Sequence, residues 1–160
     1  MRLLIAAVGR LKQGPERDLF VHYLDRAAAA GRKLALSPLD VVEIAEAKSA
    51  TPQARMETEA ELLLAKRPSS YRLICLDRSG TPLGSEAFAQ SLAKFRDGGA
   101  QGLAFFVGGV DGLGLRAMFE ADLVLSLSAM TLPHGLARIV LAEQIYRAAT
   151  ILAGHPYHRA

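Results

Sequence analysis

A chain of 160 residues, 51% hydrophobic and 22% charged, is sized and composed for one packed domain spanning 1–160, not for a disordered segment or a string of modules. Lys and Arg number 19 against 16 Asp and Glu, a formal charge of +3, which admits an RNA or phosphate partner without the basic run that would demand one. The single cysteine, Cys75, excludes an internal disulfide framework and a multi-cysteine zinc site and points to a reducing compartment.

In chain order, Leu3 to Val8 is a continuous apolar run that reads as a buried strand. It follows Met1-Arg2 and so imitates a secretory signal. The run ends after about seven residues, at Arg10 and Lys12, too short for that role and far short of the ~20 residues that span a bilayer. A soluble cytoplasmic protein is expected, with no membrane segment. Gly14-Pro15 opens a helix to about Ala30, closed by Gly31. Val41, Val42 and Ile44 form a second strand. Thr51-Pro52 starts a helix through Ala65. Tyr71 to Leu76 is a third strand, ended by the turn formers Asp77, Ser79 and Gly80. Ser85 caps a helix to about Arg96, and Gly98-Gly99 stops it. Leu103 to Val107 is the fourth strand. A short helix at Leu115 to Ala121 leads to a fifth strand, Leu123 to Leu127, and a long helix runs from His134 to Leu152. Strands joined by helices indicate an α/β domain with a mostly parallel sheet and helices on both faces.

The last helix is unusually apolar. Its polar residues Glu143, Gln144, Arg147 and Thr150 share an arc of roughly 120° that also contains Val140 and Ile151. Either the helix packs within its own domain or it also forms a homodimer interface.

Two loops after strands carry the chemical signal. Gly108 to Gly114 (G-G-V-D-G-L-G) lies between a strand and a helix, where backbone N–H groups are free to hold a ligand. Gly112, Gly114 and Ala117 match G-x-G-x-x-A. The match follows the fourth strand rather than the first, and no acidic residue ends the next strand, which argues against a dinucleotide fold. Leu127 to Pro133 (L-S-A-M-T-L-P) is apolar where a loop should be solvated. It is buried by packing or lines a pocket. With Leu76 and Asp77 these loops end three strands, the place where open α/β sheets bind ligands. His22 reads as a surface residue. His134, His155 and His158 crowd the C-terminal end without metal-ligand spacing, so no metal site is expected. Tyr157 and Arg159 have the chemistry to stack on a base and grip a phosphate. Cys75, inside an apolar strand, reads as inert filling.

The segments L-I-C-L-D, F-V-G-G-V-D-G-L, L-S-L-S-A-M-T-L-P-H-G-L-A-R, A-E-Q-I-Y-R-A and H-P-Y-H-R together closely resemble one family over essentially the whole chain. It is the large-subunit ribosomal RNA pseudouridine N3-methyltransferase family of the SPOUT class. One departure is Val110-Asp111, where members often carry Pro-Glu. The resemblance implies an α/β domain with a C-terminal trefoil knot, a homodimer, S-adenosylmethionine as methyl donor, and a pseudouridine in ribosomal RNA of the assembled ribosome as substrate. It implies a donor site of Leu76, Asp77, Gly108, Gly109, Leu127, Ser128, Ala129, Met130, Thr131, Leu132 and Pro133. It places His134, Arg138, Tyr157, His158 and Arg159 on the substrate side. Methyl transfer from a sulfonium to a deprotonated imide nitrogen turns a cation and an anion into neutral products, which a water-poor pocket favours. His158 and His134 are both candidate bases, and Arg138 and Arg159 are candidates for favouring the anionic base. Two other readings stand beside this one: methylation of a ribose 2′-hydroxyl or tRNA base, and an RNA- or nucleotide-binding protein without catalysis.

Overall fold

The protein, represented by a computed structural model, is described over residues 1–158, with His158 described by its backbone alone. Its strands are β1 (Arg2–Val8), β2 (Leu39–Ile44), β3 (Tyr71–Pro82), β4 (Gly102–Val107) and β5 (Leu123–Ser126). Its helices are α1 (Pro15–Gly31), α2 (Pro52–Lys66), α3 (Ser85–Asp97), α4 (Leu115–Glu120) and α5 (His134–Leu152). The sheet is wholly parallel, in the order β2-β1-β4-β3-β5.

Alternation along the central strands divides the core. Leu3, Ile5 and Ala7 of β1, with Ile74, Leu103, Phe105 and Val107, pack against Phe20 of α1, Phe88 and Leu92 of α3, and Leu141 and Ile145 of α5. Leu4, Ala6 and Val8, with Leu73, Cys75, Ala104 and Phe106, face Ala60 and Leu63 of α2 and Ala117 of α4. Central parallel strands are covered on both faces and therefore read as unbroken apolar runs. At α2 the expected start is present, with the Thr51 hydroxyl accepting the Ala54 N–H at 3.2 Å.

The structure corrects the expected boundaries in three places. The strand at Tyr71 does not end at Leu76. The Asp77–Ser79 turn chemistry is present, since Asp77 Oδ1 accepts from the Ser79 N–H (2.8 Å) and hydroxyl (2.6 Å). Yet the chain rejoins β5, so that Leu76 and Thr81 both oppose Leu125. The residues between bulge out, and Gly80 passes so close that a Cβ there would sit 2.6 Å from the Val124 carbonyl oxygen. Ser85 does not cap α3; Gly84 holds that position, and the Ser85 hydroxyl instead donates to Gln144 Oε1 on α5 at 2.7 Å. Gly31 is not a left-handed stop. Its φ is −67°, a tight turn follows, and Ala35 takes the left-handed conformation at φ 54°. Gly31 is required there because the Leu36 carbonyl occupies the space of a side chain.

α5 is a core helix of its own domain. Leu141, Ala142, Ile145, Ala148 and Ala149 are buried in the layer shared with α1 and α3. Thr150, expected on the polar arc, is buried too, its hydroxyl donating to the Arg147 carbonyl at 2.7 Å. Among the described residues no helix is long and apolar enough to cross a membrane.

Candidate functional site

Because β4, β3 and β5 are neighbours in a parallel sheet, the segments leaving the carboxyl ends of β4 and β5 and the bulge within β3 that follows Leu76 are delivered to one edge. There they enclose a cavity of about 380 Å³, within the ~300–1,000 Å³ of small-molecule sites. Of the residues expected to hold a ligand, Leu76, Asp77, Gly108, Gly109, Leu127, Ser128, Met130, Thr131 and Leu132 line it, and so does His134 at the start of α5. Ala129 and Pro133 do not. Ala129 is exposed, and Pro133 precedes α5, its carbonyl accepting the Ala137 N–H at 2.9 Å.

The cavity also takes Val110, Asp111 and Gly112, which the sequence reading placed in the glycine-rich segment but not in the donor set, and Arg78, Val107, Leu125 and Ala137, which it did not single out. The signal for Gly112 was available, since it belongs to the glycine-rich segment. For Val107 and Leu125 it lay in their places at or next to the last positions of strands that prove adjacent. Ala137 faces the cavity from the first turn of the helix that His134 begins.

The glycine segment is a tight turn in which the Gly112 N–H donates to the Gly109 carbonyl at 3.1 Å. Gly112 has φ +100°, and a side chain on Gly108 would strike the Gly112 carbonyl. At Gly108 and Gly112 the turn therefore presents main chain alone. α2 holds this turn from outside. Arg55 Nε lies 2.6 Å from Asp111 Oδ2, an ion pair that raises the guanidinium's affinity for its proton. Glu57 accepts the Leu115 N–H at 2.8 Å, which caps α4.

On the opposite wall the serine of the Leu127–Pro133 segment folds the loop on itself. Ser128 Oγ accepts the Met130 N–H at 2.9 Å, and the Ser126 hydroxyl donates to the Ser128 carbonyl at 3.0 Å. Asp77 contributes a carboxylate whose Oδ1 is held by Ser79, while Oδ2 is turned toward Gly112, 3.9 Å from where a side chain there would begin. The other acid, Asp111, is neutralised by Arg55. The cavity thus pairs apolar walls (Leu76, Val107, Leu125, Leu127, Leu132) with main-chain groups and one carboxylate that has no cationic partner among the ion pairs of the described residues.

The residues expected on the substrate side separate. His134 reaches the cavity. Arg138 does not: it is fully buried, with Nη1 2.8 Å from Glu43 Oε1 and Nη2 donating to the carbonyls of Val8 and of Gly9 (2.9 Å). Burial lowers the guanidinium's pKa, and Glu43 opposes that. Tyr157 also lies away from the cavity of its own chain. Its ring packs 4.7 Å from that of Tyr146, the Arg147 guanidinium stands 5.0 Å over it, and its hydroxyl, pushed up by burial and by Glu143, donates to Glu143 Oε1 at 3.4 Å. The His158 side chain and Arg159 lie outside the described residues. Cys75 is buried, donates to the Ala117 carbonyl, and has its thiol pushed up to about 12 by burial, the profile of an unreactive side chain. His22 is exposed.

Comparison with known proteins identifies the family. The family model described as "Predicted SPOUT methyltransferase" matches residues 1–158. Proteins named "Ribosomal RNA large subunit methyltransferase H" are similar over 100% of both chains, at 52% identity in Xanthobacter autotrophicus and 51% in Rhodopseudomonas palustris and Sinorhizobium fredii. A solved structure of a probable methylase family protein from Haemophilus influenzae has the same fold at 11% identity and a TM-score of 0.50, covering 99% of this chain and 70% of that one. With a full-length family match and relatives of this identity, the chain belongs to the SPOUT methyltransferase family.

Proposed function

We propose that this enzyme transfers a methyl group from S-adenosylmethionine to N3 of a pseudouridine in large-subunit ribosomal RNA, acting as a homodimer on the assembled ribosome in the cytoplasm. The observation that carries the reading is the cavity itself, in which the ends of β4 and β5 and the bulge of β3 present main chain, apolar walls and the carboxylate of Asp77. The residues fit the donor. Adenosine needs close backbone approach and apolar faces, which Gly108, Leu127 and Leu132 offer, and a ligand carrying a sulfonium and an ammonium needs a negative charge, which Asp77 supplies. The relatives' name, shared over the full length, supports large-subunit ribosomal RNA as the substrate.

When bound, the donor supplies an electrophilic methyl group. The protein's part is orientation and dehydration. Leu76, Val107 and Leu125 exclude water, and the glycine turn and the Leu127–Pro133 loop fix the ligand from two sides, so the reacting atoms meet in line. In this reading His134, which lines the cavity at the start of α5, takes the imide proton, with His158 the other candidate. The tail Tyr157, His158 and Arg159 completes the substrate side from the second subunit, since Tyr157 lies outside the cavity of its own chain. Exposed Leu19 and Val21 of α1 and Leu136 of α5 supply apolar surface for that dimer. The trefoil knot that the resemblance implies belongs to the same reading.

Incubating ribosomes with isotopically labelled donor and mapping the ribosomal RNA by mass tests this. One labelled pseudouridine in the large subunit is expected, with free RNA a poor substrate. Label on a ribose, on transfer RNA or nowhere refutes it.

A further inference from the structure

Glu59 is the only acidic side chain among the described residues that the fold buries, with 3% of its surface accessible, although Glu61 on the same helix is exposed. A buried carboxylate is costly, and leucine would fill the same space without that cost. Its two oxygens show what it does instead. Oε1 accepts the Ala47 N–H at 2.9 Å and so fixes the loop between β2 and α2. Oε2 lies 3.1 Å from the point a Cβ on Gly109 would occupy, with Val8 Cγ1 at 3.1 Å from the same point. The carboxylate is wedged between the end of β1 and the glycine turn, and it does not line the cavity. Its neighbours on α2 grip the same segment: Arg55 holds Asp111, Glu57 holds the Leu115 N–H, and the Met56 carbonyl oxygen is 2.6 Å from where a side chain on Gly114 would begin. The first turns of α2 thus form a rail along residues 109–115, with Glu59 behind the glycine that closes the cavity.

We propose that Glu59 is a positioning residue for the donor site: through Gly109 it sets the height of the Gly108–Gly112 turn over the cavity, and through Ala47 it ties that turn to the neighbouring strand-end loop. This rests on reading the cavity as the donor site. The tests are Glu59→Ala and Glu59→Gln in the full-length protein, with S-adenosylhomocysteine as the probe. Binding is followed by calorimetry, and amide hydrogen exchange is followed over residues 108–112 and at Ala47. Glu59→Ala is expected to weaken binding by about tenfold or more and to speed exchange at both places. Glu59→Gln keeps an oxygen for Ala47 and is expected to stay within about threefold of the parent. Unchanged binding and exchange in Glu59→Ala, or a Gln variant as impaired as the Ala variant, overturns the proposal. So does strict additivity with Gly109→Ala, because residues that act through one another are coupled. If Glu59→Ala does not fold, Glu59→Asp, with its oxygens drawn back by one methylene, must loosen the same two segments, and normal exchange there overturns the proposal equally. Should the parent protein bind no S-adenosylhomocysteine, the donor-site reading fails, while the exchange comparison still decides whether Glu59 holds the turn.

Discussion

Arg138 on α5 and Glu43 on β2 form an ion pair of 2.8 Å in which the guanidinium is fully buried and also binds the carbonyls that end β1. One side chain therefore fixes the start of α5, and with it His134, to two strands on the far side of the sheet. Arg138→Met takes the guanidinium from those carbonyls and leaves Glu43 with the Leu11 N–H, 3.0 Å from Oε1, but no cation. Urea unfolding is expected to show a loss of about 3 kcal/mol, the scale of breaking a buried pair from one side. Glu43→Gln destabilises less, because the main-chain carbonyls still hold the guanidinium. Unchanged stability with reduced turnover in Arg138→Met would instead make Arg138 a residue that meets substrate.

That pair also marks where sequence stops being informative. Strands β1 and β4 and the helices α2 and α5 were readable because their causes are local: apolar runs, Thr51-Pro52, and helix formers without breakers. The site's three segments were readable because each directly follows an apolar strand run, two at strand ends and the third at the bulge of β3. Arg138 was not, since an arginine in an apolar helix looks like a residue awaiting a substrate until Glu43 and Val8 are brought to it from more than ninety residues away in the chain. The extension of β3 through Pro82 was hidden for the same reason. Asp77 and Ser79 do form their local turn, and only the free edge of β5 decides that the strand resumes. Glu59, on a helix with other glutamates, gave no sign of its burial.

Asp77 tests the electrostatics of the cavity. Asp77→Asn keeps an oxygen for the Ser79 N–H and hydroxyl, so the fold is expected to be unchanged. What is lost is the charge. Affinity for S-adenosylmethionine should fall by about tenfold, roughly 1.4 kcal/mol, and affinity for the product, which lacks the sulfonium charge, should fall less. Titration calorimetry with both ligands checks the ratio. An equal loss for the two would place the carboxylate against the ammonium or ribose, away from the sulfur.

Cys75 gives a pH dependence with a defined sign. Its thiol ordinarily titrates at 9.0 and is pushed up to about 12 in the fold, chiefly by burial. The unfolded chain therefore loses this proton at lower pH than the folded one. The thiol's contribution is constant below 9.0 and is lost as pH rises from there toward about 12. Cys75→Ala removes that titration. Comparing unfolding free energies of parent and variant at neutral pH and about one unit above 9.0 should show the parent losing more stability on the alkaline side. Native protein at neutral pH should also resist thiol alkylation, while urea-unfolded protein reacts.

The tail is the sharpest test of the dimer. Deleting residues 155–160 removes Tyr157, which packs against Tyr146 and Arg147, but leaves the cavity walls untouched. Donor binding should persist and methylation of ribosomes should stop. Gly108→Ala is the complementary defect: its side chain meets the Gly112 carbonyl, so donor binding should fail while the tail stays intact. A heterodimer purified with one subunit of each kind distinguishes the two geometries. If a tail serves the cavity of the other subunit, the intact tail meets the intact cavity, and about half of the parent turnover returns, since one of two symmetric sites is whole. If each tail serves its own cavity, both chains carry a defect and the mixed dimer is as inactive as either homodimer.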